Sequence, residues 1–71
     1  MSDAFGYQVR KIGEPAGNVW NAIKDSVCAE WAASPEDKEV VERNNFTGET
    51  RVVPREEAQQ RAKEYEKLRN P

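Results

Sequence analysis

The sequence predicts a small single domain of the α+β class, and three observations carry that expectation. An apolar–polar alternation near the N-terminus has the period of a strand. A set of apolar residues farther on recurs at the spacing of one helix face. A run of strong helix formers closes the chain. The expected order is an N-terminal strand, an amphipathic helix, a short helix or a hairpin, a short strand and a C-terminal helix. With 71 residues there is room for one core. We expect a small α+β body over 1–53 and a C-terminal helix over 54–71, the latter available to a partner.

The first element spans Phe5 to Ile12. Phe5, Tyr7 and Val9 alternate with Gly6, Gln8 and Arg10, which puts one set on a buried face. Gly13-Glu14-Pro15 ends it. The second element is a helix over Ala16 to Ala33. Its residues Trp20, Ile23, Val27 and Trp31 are spaced three, four and four apart and fall on one stripe. Val19 and Cys28 widen that stripe, and Asn18 is a candidate N-cap that would move the helix start from Ala16 toward Val19. The stripe is expected to meet Tyr7, Val9 and Val52.

Two readings compete for the third element. Ser34-Pro35-Glu36-Asp37 has the order of a helix start: a capping hydroxyl, a proline at the first turn, then acids at the positive end of the dipole. A short helix from Pro35 to about Asn44 is therefore the first choice. The alternative is a strand through Val40-Val41, a turn at Thr47-Gly48 and a return strand from Thr50 to Val53, favoured by the paired β-branched residues. Asn44-Asn45-Phe46-Thr47-Gly48-Glu49-Thr50 is similar to the second hairpin of WW domains, and Trp31 stands about where that family has its first Trp. The similarity covers 31–54, but Val52 replaces the second groove Trp and Val40-Val41 replaces the aromatic strand. No site residue is carried over.

The last element begins after Pro54. Arg55 to Asn70 is a helix by composition, with Glu56 and Glu57 early and Lys67 and Arg69 late. Its apolar stripe is thin: Ala58, Ala62, Tyr65 and Leu68. A helix with so little to bury suits a partner surface. Arg61, Tyr65, Leu68 and Arg69 are the expected partner contacts.

Composition narrows the function classes. Leu, Ile, Val and Phe number only 12, with a single Leu. Yet 11 basic and 13 acidic residues nearly cancel, at a net charge of -2, so the composition is not that of a strongly charged disordered segment. No run of apolar residues reaches the length of a membrane span. One cysteine, Cys28, cannot close an internal disulfide, and with no histidine a structural zinc site is excluded. The N-terminus Met1-Ser2-Asp3-Ala4-Phe5 lacks a basic-then-apolar leader. The expected location is cytoplasmic, or a reducing organelle or host cytoplasm if a presequence has been removed.

The absence of histidine also removes the commonest general base and the Ser-His and Cys-His nucleophilic pairs. Cys28, on a helix interior near Asp25 and Glu30, reads as a small buried hydrophobe. Glu36, Asp37, Glu39 and Glu42 lack the alternation of a calcium loop and read as a solvated face. Gly13 and Gly17 fit neither phosphate-loop pattern. Asn45-Phe46-Thr47 matches a glycosylation sequon, which matters only in a secreted chain. The expectation is a non-enzymatic protein-interaction module without cofactor or metal, serving as an accessory subunit or a regulator or inhibitor of a larger protein assembly. Its partner would be another protein or a second copy. The alternative is a small nucleic-acid-binding transcriptional regulator. Against it, the basic residues from Arg51 to Arg69 are interleaved with Glu56, Glu57, Glu64 and Glu66 and form no stripe of one sign.

Overall fold

Strand β1 (Phe5–Lys11) begins where the alternation begins, and it pairs antiparallel with β2 (Lys38–Asn44), Tyr7 opposite Glu42 and Val9 opposite Val40. A third strand, β3 (Thr50–Val52), returns antiparallel on the far side of β2, giving sheet order β1-β2-β3. Helix α1 (Lys24–Ala33) lies across β1 and β2, and α2 (Arg55–Arg69) packs mainly against α1. The computed structural model describes residues 4–69; Asn70, at the expected end of the last helix, lies outside the described residues. The α+β class and the element order are as the sequence predicts, with the hairpin in place of the short helix.

The core follows from sheet parity. Tyr7, Val9, Val40 and Glu42 share the face beneath the helices. There Tyr7 and Val40 meet Val27, Cys28, Trp31, Val53, Ala58 and Ala62, with Val9 packed alongside. Small residues let α1 and α2 approach closely: Cys28, Ala58 and Ala62 are all buried. The indole N–H of Trp31 donates to the Lys38 carbonyl at 3.1 Å, so the largest core residue satisfies its polar atom at the start of β2.

Three expectations are corrected. The first helix starts at Lys24, not near Ala16, because the preceding chain is drawn along the outer edge of β1. Tyr7 and Asn21 exchange backbone hydrogen bonds of 2.7 and 2.8 Å. The Gln8 amide accepts from Gly17 N–H at 2.6 Å and donates to the carbonyls of Gly17 and Val19. Ile23 is the N-cap residue and has no side-chain cap; Asn21 Oδ1, not Asn18, accepts the Ile23 N–H at 2.8 Å. Trp20 and Ile23 thus leave the stripe. Ile23 is exposed, and Trp20 sits half-buried by Gly6 and Arg43 on the opposite face of the sheet.

The second correction is at 35–44, which is the strand of the alternative reading. Ser34 closes α1, its N–H donating to Trp31 O at 3.0 Å, and does not open a new helix. Asp37 takes φ +59, a left-handed conformation that Asp tolerates better than most residues, and the chain enters β2. Val40 and Val41 then bury on opposite faces, each almost completely. A helix cannot present two adjacent valines to two sides of a sheet, and this burial overrides the capping signals. Third, Val53 and not Val52 joins the core, since Val52 shares the outer face with its partner Val41 and stays half-exposed.

Candidate functional site

The sheet buries one charged side chain, Glu42, the central residue of a polar cluster spanning all three strands. Tyr7 on β1 and Arg51 on β3 flank it. Tyr7 hydroxyl donates to Glu42 Oε2 at 2.8 Å, and Arg51 Nε donates to Oε1 at 2.6 Å. Lys24 of α1 reaches over the Tyr7 ring at 5.6 Å and pairs with Glu57 of α2 at 3.0 Å. Burial pushes the Glu42 carboxyl up, but the two hydrogen bonds and the charges of Arg51 and Lys24 outweigh it, so its pKa lies below the usual glutamate value. Burial and the neighbouring carboxylate raise the Tyr7 hydroxyl far above the usual tyrosine range. Arg51 is held more firmly protonated by Glu42.

These are the properties of a structural tie. A general base works best with a pKa near neutrality. Glu42 has each oxygen engaged and its pKa displaced away from neutrality. Every buried side-chain nitrogen and oxygen among the described residues has a partner. No group of three or more His, Cys, Asp or Glu side chains among them is placed to hold a metal ion.

The acidic set expected as one solvated face is divided by the sheet. Glu36 and Asp37 are exposed in the turn before β2. Glu39 pairs with Arg10 at 2.7 Å across the β1–β2 ladder, and Glu42 is buried, which corrects the expectation for those two. Cys28 is fully buried, and burial raises its thiol pKa, in keeping with a packing role.

Of the expected partner contacts, Arg61 leans back on the body, 3.8 Å from Asp25 and 3.4 Å from Glu64. The Arg69 guanidinium stacks over the half-buried Tyr65 ring at 5.7 Å. Leu68 is 79% exposed. Tyr65 and Arg69 border a shallow groove against Ser26, Ala29 and Ala33 of α1. The helix therefore divides its duties: Ala58 and Ala62 belong to the core, and the last turns stand outward.

Sequence reasoning missed a second surface, the β2–β3 turn. Phe46 is 73% exposed at its tip. The turn is built stiffly. Asn44 Oδ1 accepts the N–H groups of Phe46 at 2.9 Å and Thr47 at 3.2 Å, Thr47 Oγ1 accepts Glu49 N–H at 3.2 Å, and Gly48 supplies φ +79. The signal was present in the Asn-rich turn and Gly48, whose turn chemistry implies an outward side chain between them. No helix among the described residues is long and apolar enough to cross a membrane. No protein-family model, curated protein or solved structure matches the chain.

Proposed function

We propose that this chain is a non-enzymatic protein-interaction module, an accessory subunit or regulator that works through its surface. One observation carries the reading. The chain has only 12 Leu, Ile, Val and Phe residues, yet seven of them lie exposed: Phe5, Ile12, Val19, Ile23, Phe46, Val52 and Leu68. A domain so short of apolar side chains gains most by burying them, so leaving over half outside favours a role for them in association. The one buried carboxylate, Glu42, is by contrast spent on an internal tie to Tyr7 and Arg51.

The test is capture of partners from the native source with the tagged full chain, followed by reconstitution with each purified candidate. A protein partner should bind stoichiometrically, and Tyr65→Ala or Leu68→Ala should weaken it about tenfold while leaving the melting temperature nearly unchanged. Retention of nucleic acid in place of protein, lost with rising salt, would overturn the reading in favour of a nucleic-acid binder.

A further inference from the structure

We propose that the chain self-associates head to tail, the Phe46 tip of one copy entering an apolar cavity at the opposite end of the sheet of the next. This goes beyond the accessory-module reading and does not depend on it.

The receiving end is a cavity of about 180 Å³ where β2 starts and β3 runs into α2. Ile12, Trp31, Val52 and Val53 line it, and Lys38 and Arg55 stand at its wall. A cavity of about 150 Å³ lined by apolar groups holds a benzene molecule, so this one has room for a phenyl ring. Arg55 stacks on Trp31 at 5.6 Å, and neither it nor Lys38 enters an ion pair among the described residues. Glu39 also lines the cavity, but Arg10 neutralises it at 2.7 Å. The cavity therefore asks for an aromatic or aliphatic group with a negative charge beside it.

The chain presents that combination itself. Phe46 is exposed on a turn fixed by three side-chain acceptor bonds, so little conformational freedom is lost on docking. Glu49, three residues on and in no ion pair among the described residues, supplies the charge. The two features cannot meet within one molecule: Lys38 and Asn44 mark opposite ends of β2, about 20 Å apart at the rise of a strand. The contact is heterologous, and repeated it gives a ring or an open chain of copies.

Sedimentation velocity of the full chain from micromolar to millimolar concentration tests this. The wild type should gain mass with concentration. Phe46→Ala, which loses the insert, and Val52→Trp, which fills the cavity, should each remain monomeric with unchanged melts. Mixed together, they should form a heterodimer that grows no further, because one supplies the intact cavity and the other the intact tip. Ile12→Trp serves as the second cavity-filling variant if Val52→Trp unfolds. A wild type monomeric at millimolar concentration overturns the proposal. So does association that survives Phe46→Ala, or a mixture that stays monomeric.

Discussion

Replacing Glu42 by Ala is the most informative perturbation of the fold. Glu42 is 8% exposed and accepts from two donors, Arg51 Nε at 2.6 Å and the Tyr7 hydroxyl at 2.8 Å. A hydrogen bond to a charged group contributes about 1.5–3 kcal/mol. Arg51 is more than half exposed and regains water when its partner is lost, so its share is discounted. Tyr7 is buried and keeps a hydroxyl without an acceptor, a cost of about 1–3 kcal/mol. The expected loss is about 2–4 kcal/mol, against the ~3–5 kcal/mol that one core of this size supplies. Urea unfolding followed by tryptophan fluorescence would read it. Tyr7→Phe should cost about 1 kcal/mol, since Glu42 then retains Arg51. The pH dependence has a defined sign. Folding holds the Glu42 pKa below its ordinary value of 4.5. That stability is therefore complete above the ordinary value and is lost as pH falls through the lower, folded one. The Glu42→Ala protein should lack this acid-dependent component. A Glu42→Ala loss below about 0.5 kcal/mol, or an unchanged acid limb, would refute the assignment of Glu42 as the tie among the three strands.

Two further outcomes check the packing. A methyl group at Gly6 would stand 2.7 Å from Trp20 Cβ, so Gly6→Ala should cost about 1–3 kcal/mol and shift Trp20 emission as the ring is displaced. Wild-type emission in that variant would show that the Trp20 segment does not lie against β1. Cys28 is fully buried with a raised thiol pKa, so a thiol reagent should label it only as fast as the domain opens; immediate labelling in native buffer would contradict its burial.

The legibility of the sequence differs from element to element. β1 and α2 could be read locally. The alternation of Phe5, Tyr7 and Val9 and the helix formers after Pro54 each bias their own backbone. Helix α1, which holds Val27, Cys28 and Trp31, is equally plain as the second half of the helical pattern over 16–33. The segment 16–23 was misread because its helical spacing is real but its hydrogen bonds go elsewhere, to Tyr7 and to the Gln8 amide, partners nine to fourteen residues away in sequence. Capping chemistry at Ser34-Pro35 pointed to a helix that the burial of Val40 and Val41 on two faces does not permit.

The same division holds for the surface. The thin apolar stripe of the last helix is legible in the sequence, but its fate residue by residue is not: Ala58 and Ala62 are buried, Tyr65 is half-buried and Leu68 is exposed, while Arg61 turns back toward Asp25. Glu42 was not legible as anything but one acid among several. Only the register that sets it opposite both Tyr7 and Arg51 makes it the buried tie of the sheet.

Taken alone, the sequence determines the class of this protein, its lack of histidine and of an internal disulfide, and the elements whose periodicity is local. The tertiary structure decided which of two locally plausible states 35–44 adopts, where α1 starts, and which apolar side chains remain outside. The physical reason is one of scale. Propensities and caps contribute about 1 kcal/mol or less at a position. Pairing a strand at the centre of a sheet and burying its two valines contributes several times that, through partners the local sequence does not contain.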